Sequence, residues 1–395
     1  MAGDLRILSI YEGFFSGGAR ALHSTVVRGL HTGGGQKHTV LSIHREMRRE
    51  TMLQRMEDDR CYRLLTADGV PVDSLGRTPE HLETRAPFSA AELDQAAGHA
   101  ESADLILSLK EQPLRLVNQP GFPRRPVVVC LHRSDPENQG AALADLKAAV
   151  ADGRIAACIC CAESTRDAYR AAGIPAGLLH VIPNGVDLGR FRPVRKRGPL
   201  RRSLGLPAKA KVIAFAARYD RMKHVSLFLR SARQFLKHTP NGHVLMCGAG
   251  MNRANADLCG DLDAIFGDEP KLLQRLHLLG VRHDMELVYA ASDVVALTSS
   301  FGEAAPLCLI EGAMCGAVPV CTDVGDSAAI VEGIGLVTPP EPEAIGAAWA
   351  EAIDRRPEFA RPLAASRERF SHTRMIAAYA TLIEEIHRDM VTASI

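Results

Sequence analysis

The chain is 395 residues long, 46% hydrophobic and 24% charged, with 47 Lys and Arg against 46 Asp and Glu. That length exceeds one ordinary core and suits two domains of roughly 150 to 200 residues each. The even charge balance excludes a nucleic-acid binder working through a basic face and fits a globular enzyme.

The N-terminus, "MAGDLRILSIYEGFFSGG", lacks the basic start and long apolar run of a signal peptide, and no window reaches the roughly 18 apolar residues of a membrane span. A cytoplasmic location is expected. The first predicted strand is "RILSIY", residues 6 to 11; it leads into the glycine-containing loop "EGFFSGGAR" and a helical pattern that stops at glycines. The arginine-rich stretch "HREMRRETMLQRMEDDR", within 44–63, leaves peripheral contact at the inner face of a membrane open, although its interspersed acids favour a solvated helix or loop. Apolar runs at "HTVLSI", "ADLILSL", "RPVVVCLH" and "AACICCA" continue a βα rhythm, which implies a parallel sheet with crossover helices. Cys158, Cys160 and Cys161 crowd the last of these; without paired C-x-x-C spacing they read as reduced core thiols.

The basic, Gly/Pro-containing "VRKRGPLRRSLGLPAKA" marks a domain boundary, its arginines read as a solvated linker. Beyond it the rhythm repeats at "KVIAFAA", "GHVLMCGAG", "LHLLG", "DVVALTS", "AVPVCTD" and "GIGLVT". The pattern predicts an α/β protein of two doubly wound domains facing a central crevice. The expected divisions are 1–195, a linker at 196–208, 209–370, and a C-terminal helix at 371–395 that could pack back on the first domain.

The stretch "SSFGEAAPLCLIEGAMCGAVPVCTDVGD" carries Glu303 and Glu311 eight positions apart around Pro306. Proline suits the first turn of a helix, which sets Glu303 in the preceding loop and Glu311 inside the helix. The first amides, Leu307 and Cys308, would then face an anion, most naturally phosphate. Glu303 would repel that phosphate but could accept hydrogen bonds from nearby hydroxyls, so a polyhydroxy ligand joined to phosphate satisfies both elements. The alternative is that Glu303 caps the helix and Glu311 is a solvated position. Taken alone, Arg218 also reads as a surface ion pair and His132, at the end of "VVVCLH", as a strand-end histidine.

The stretch closely resembles the E-x7-E signature of retaining, nucleotide-sugar-dependent glycosyltransferases of the GT-B fold, the glycosyltransferase family 4-like, group 1 enzymes. "IYEGFFSGGAR", "VIPNGVDLGRF", "AARYDRMKHVSLFLRSA" and "LLGVRHDMELVYAASDVVALTS" match in the same order. The resemblance covers about residues 180 to 340 and islands of the first half, and implies Rossmann-like domains, the first for acceptor and the second for donor. It implies that Glu311 binds the ribose hydroxyls, Glu303 meets the transferred sugar, and Arg218 and Lys223 grip the diphosphate, where fixed cations stabilise leaving-group charge. It adds His132 beside the donor sugar, Gly17 and Gly18 where backbone approaches the outer phosphate or sugar, and Val281, Ala304, Ala305, Leu307 and Cys308 along the donor. Two departures stand out: Gly312 occupies a position where many relatives carry Ala, and the acidic loop with Glu12 before Gly17 has no assigned role.

The implied reaction is retaining transfer from a nucleoside-diphosphate sugar to a hydroxyl of a secondary metabolite, surface glycan or lipid-linked acceptor, by front-face displacement with the leaving phosphate as base. "DLD" at Asp261 to Asp263 reads as ordinary surface, so no metal or other cofactor is expected. A sugar-nucleotide epimerase, a phosphorylase and a non-catalytic nucleotide-sugar-binding subunit are the alternatives. Abundant Ala and Arg suit a GC-rich bacterial genome.

Overall fold

The computed structural model describes residues 4–15, 17–49, 52–194 and 198–393. It divides into two compact units, Met1–Asn184 with Met375–Ile395, and Gly185–Arg374. The division differs from the expected boundary at 195 because residues 185 and 186 are already zipped into the second unit. Val186 N donates to Phe370 O at 2.8 Å, and a Cβ on Gly185 would stand 2.4 Å from Ser371 O.

Unit 1 is built on a seven-stranded parallel sheet. In chain order its strands are β1 (Leu5–Gly13), β2 (Gln36–His44), β5 (Val72–Arg77), β6 (Leu105–Leu109), β7 (Val127–Leu131), β8 (Ile155–Cys160) and β9 (Leu179–Val181), in spatial order β5-β2-β1-β6-β7-β8-β9. A separate antiparallel hairpin, β3 (Glu46–Arg49) and β4 (Met52–Arg55), replaces the helix or loop expected for the arginine-rich stretch. Its charges are locally paired, Arg45 with Glu57 at 2.7 Å and Arg55 with Glu46 at 3.2 Å. The central strands β6 and β7 are buried along their whole length, which is why they read as unbroken apolar runs. All ten cysteines are free thiols; Cys158 and Cys160 lie buried in β8.

Unit 2 holds a six-stranded parallel sheet: β10 (Lys211–Ala216), β11 (Gly242–Cys247), β12 (Leu276–Gly280), β13 (Val294–Leu297), β14 (Val318–Cys321) and β15 (Leu336–Val337), in the order β12-β11-β10-β13-β14-β15. The expected linker is not a solvated connection throughout. Residues Gly198–Ser203 form a helix whose Leu200, with Leu206 beyond it, is buried in this unit's core. Arg201 donates to Ala291 O at 2.8 Å and Ala210 O at 3.0 Å and pairs with Asp293 at 3.1 Å. Arg195, Lys196 and Arg197 lie outside the described residues.

Five helices matter below: α1 (Gly18–Thr32) in unit 1; α2 (Val225–His238), α3 (Met285–Ala291) and α4 (Leu307–Met314) in unit 2; and α5 (His372–Ala393). From Met375 onward α5 belongs to unit 1, where Met375, Tyr379 and Ile383 are buried. The Tyr379 hydroxyl donates to Cys130 Sγ at 3.8 Å, and Gly29 of α1 leaves the room that Ile376 fills.

Each sheet reverses its strand order once beside its first strand, between β1 and β6 in unit 1 and between β10 and β13 in unit 2. In open α/β sheets the carboxyl ends of the strands at such a reversal are where ligands bind. Among the described residues no helix is long and apolar enough to cross a membrane.

Candidate functional site

In unit 2 the residues picked out by the sequence gather at the carboxyl ends of β10 and β13. After β10, Arg218 pairs with Asp220 at 3.1 Å, and Asp220 caps the turn Arg221–Lys223 by accepting from Met222 N at 2.9 Å. His224 ends that turn with φ 49°, a left-handed conformation that costs an L-residue roughly 1–2 kcal/mol, and α2 starts at the next residue. After β13, the Thr298 hydroxyl donates to Lys223 O at 3.2 Å and Ser300 N to Met222 O at 3.0 Å, which fastens the two loops together.

Across that seam the Lys223 ammonium donates to Glu303 Oε1, and the Ser299 hydroxyl donates to the same oxygen at 2.5 Å. Both charged side chains are enclosed, Lys223 14% and Glu303 7% exposed. The Glu303 backbone is held from the other side by Gly325, at φ 60°, where a Cβ would stand 2.2 Å from Glu303 O. Asp326 N adds a bond to Ala304 O at 2.8 Å.

Pro306 sits at the N-cap of α4 with ψ 113°, one position before the first turn expected for it. Leu307 and Cys308 are therefore the first helical residues and present N–H groups that the helix itself does not use. Glu311, one turn on, lies close to the buried Tyr289 hydroxyl of α3. Burial pushes its carboxyl up to about 7; the Tyr289 hydroxyl and the Arg190 guanidinium draw it back, and Glu286 pushes it up. Arg190, from "VDLGRF", pairs with Glu286 at 2.7 Å and donates to His283 O, tying the loop before α3 to the Glu311 neighbourhood. The Cys308 thiol, pushed up to about 12 mainly by burial, feels the charges of Lys223, Glu303 and Glu311 together, so the three converge on the start of α4. Ala304 is buried, Ala305 half-buried, and Val281, just past Gly280 at the end of β12, is an exposed apolar side chain.

Gly312 now has a physical account. A Cβ there would stand 2.5 Å from Val295 Cγ1, so glycine lets α4 lie directly against β13 and fixes the height of the α4 amides and Glu311 over the sheet.

Unit 1 carries the remaining candidates. His132 follows β7; its Nε2 is buried without a hydrogen-bond partner, and burial lowers the imidazole to about 3, so it is neutral. Gly17 precedes α1 in extended backbone, φ 169°, and a Cβ there would meet nothing within 4 Å. Within the unit glycine is thus not required at 17, and Gly18 simply opens the helix. Ser16 lies outside the described residues. Glu12 falls in β1, its carbonyl bonded to His44 Nδ1 at 2.9 Å.

Several polar contacts had no sequence signal. After β6, Lys110 takes φ 67° and the buried Glu111 accepts from the Tyr169 hydroxyl, its carboxyl pushed by burial to about 7. Ser299, Thr298, Tyr289 and Arg190 became visible only through their partners. Asp261 of the "DLD" triplet accepts from the Tyr219 hydroxyl at 2.9 Å. Among the described residues no group of three or more His, Cys, Asp or Glu side chains is arranged to hold a metal ion.

Comparison with known proteins agrees with this architecture. Residues 210–355 match the family described as Glycosyl transferases group 1, and residues 33–190 match Glycosyltransferase Family 4. A D-inositol 3-phosphate glycosyltransferase of Corynebacterium jeikeium (strain K411) is 30% identical over 170 residues, 39% of this chain and 40% of the relative. A UDP-Gal:alpha-D-GlcNAc-diphosphoundecaprenol alpha-1,3-galactosyltransferase of Escherichia coli is 29% identical over 157 residues, 39% of each chain. The matched region thus spans about two fifths of these relatives' length. Among solved structures, Anabaena HepE in complex with UDP superposes with a TM-score of 0.78 at 22% identity, covering 96% of this chain and 100% of that one. Sucrose-phosphate synthase of Thermosynechococcus elongatus gives 0.71 at 18%, covering 98% and 100%. The fold is that of the two-domain GT-B glycosyltransferases. The chain belongs to the group 1, family 4-like glycosyltransferases.

Proposed function

We propose that the chain transfers a sugar from a nucleoside-diphosphate donor to an acceptor hydroxyl with retention of anomeric configuration and without a metal. The observation that carries this reading is the convergence in unit 2 of a cation, a hydroxyl-accepting carboxylate and a helix start at one strand-order reversal: Lys223 after β10, Glu303 after β13, and the amides of Leu307 and Cys308. Lys223, Arg218 and the α4 amides bind the diphosphate and stabilise the charge that develops on it as the sugar leaves. Glu311 accepts from the ribose hydroxyls, and Val281, Ala304 and Ala305 line the donor. Glu303 accepts from hydroxyls of the transferred sugar. In unit 1 the neutral His132 and the backbone at Gly17 and Gly18 are the candidates for ligand contact. No carboxylate here is assigned as a nucleophile, so the leaving phosphate takes the acceptor's proton on the face from which it departs.

HepE, a structural neighbour, was solved with UDP and with UDP-glucose, which supports a nucleotide-sugar donor for this chain. Acceptors named for the relatives, an inositol phosphate and a lipid-linked sugar, keep a phosphorylated or lipid-linked acceptor at the head of the candidates. The test is to incubate the protein with a panel of UDP-, GDP- and ADP-sugars and candidate acceptors after exhaustive chelation. Release of nucleoside diphosphate with an α-linked product from an α-donor is expected. Donor isomerisation without acceptor consumption would point to an epimerase, and dependence on added magnesium or manganese would remove the metal-free reading.

A further inference from the structure

Glu303 and Lys223 are bonded to each other at the place where the reading above gives them separate parts of the donor. Their backbones are fixed before any ligand arrives, Lys223 by Thr298 and Glu303 by Gly325 and the Ala304–Asp326 bond. Both head groups are enclosed. In such surroundings a cation compensated by a carboxylate attracts a phosphate less strongly, and the carboxylate repels the phosphate outright.

We propose that Glu303 competes with the diphosphate for Lys223, so that the pair is a release latch favouring the intact donor over the nucleoside diphosphate product. The proposal rests on the donor-site reading given above. An intact donor brings sugar hydroxyls that donate to Glu303 and replace part of what it loses when Lys223 turns to phosphate. The product has no sugar to offer, so Glu303 reclaims Lys223 and the diphosphate leaves. Ser299 tunes the contest, because its hydroxyl shares Oε1 with the ammonium and lowers that oxygen's demand on Lys223.

The experiment is calorimetric titration with UDP, GDP and ADP, using for the comparison whichever the wild-type protein binds most tightly. Glu303→Gln keeps the shape and removes the charge; it should bind the nucleoside diphosphate about tenfold more tightly, within the usual range of coupling between sites. In a Lys223→Ala background the same substitution should have little effect, because the competed-for cation is gone. Ser299→Ala should shift affinity the opposite way, toward weaker binding, which provides a second arm if Glu303→Gln fails to fold. Steady-state turnover of Glu303→Gln should fall, with the free diphosphate becoming the stronger product inhibitor. Unchanged or weaker diphosphate binding in Glu303→Gln, with Lys223→Ala still weakening it, overturns the latch and leaves the donor site standing. Wild-type protein that binds none of the three diphosphates overturns both.

Discussion

Glu311 offers the sharpest test of the donor site, because its ionisation falls within the working pH range. Its carboxyl is held up at about 7, against the ordinary 4.5, chiefly by burial. The ionised form accepts from two ribose hydroxyls through charge-assisted bonds, whereas the protonated acid has one oxygen committed as a donor and only weaker, neutral acceptor capacity left. With a midpoint of about 7, roughly one carboxyl in eleven is ionised at pH 6 and ten in eleven at pH 8, so nucleotide affinity should rise across that interval by up to about tenfold. Tyr289, which faces Glu311, is raised well above its ordinary range and does not reproduce this change. The nucleotide's own phosphate titrates nearby, so the control is Glu311→Gln, which keeps the ligand's contribution and loses the protein's. The same raised acid predicts the stability profile. The folded chain holds the extra proton, so the stabilisation is in full below about 4.5 and is lost as pH rises through about 7. The melting temperature of the wild type should fall relative to Glu311→Gln between pH 5 and 8. Parallel affinity profiles for the two proteins would refute the assignment of Glu311 to the ribose.

Gly312→Ala should destabilise the protein by about 1–3 kcal/mol through overpacking against Val295, and should weaken nucleotide binding further because α4 is lifted off β13; chemical denaturation and calorimetry of the folded variant measure the two. Arg201→Ala strips the guanidinium from the enclosed Asp293 and should cost about 3–5 kcal/mol, toward the lower figure because Arg356 lies 3.7 Å from the same carboxylate. A loss below about 1 kcal/mol in denaturant would return Arg201 to the solvated linker of the sequence reading. Arg218→Ala should weaken nucleoside-diphosphate binding by roughly 1.5–3 kcal/mol, read by titration, with its partner Asp220 still capping the turn before α2.

The βα rhythm was legible because a strand covered on both faces must be apolar throughout, as in "VVVCL" and "VVAL". The edge strands of unit 1 escaped: β5, "VDSLGR", is largely uncovered and carries the composition of a loop, and β9 is only three residues long. The arginine-rich hairpin was hidden by its charges, which read as a solvated face when their acidic partners are out of sight. At the site, the sequence supplied the residue types and the helix that bears two of the amides, because Pro306 and the glutamate spacing are local signals. It could not supply the Lys223–Glu303 bond, whose partners are 80 positions apart, or Arg201 with Asp293, 92 apart. Such contacts depend on which strands become neighbours, and the loops after β10 and β13 meet only because the strand order reverses between them.

The course of α5 carries a consequence for how the chain is made. Unit 1 is interrupted at Asn184 and resumes at Met375, while unit 2 is one uninterrupted stretch. On a ribosome adding about 5–20 residues per second, the last piece of unit 1 follows its first part by about 10 to 40 s. During that interval Cys130 lacks Tyr379 and the groove at Gly29 lacks Ile376, so unit 1 waits with an apolar seam uncovered while unit 2 is being synthesised. The nascent chain therefore completes its second domain first, and the interval before residue 375 emerges is when the first domain most needs a chaperone to shield it.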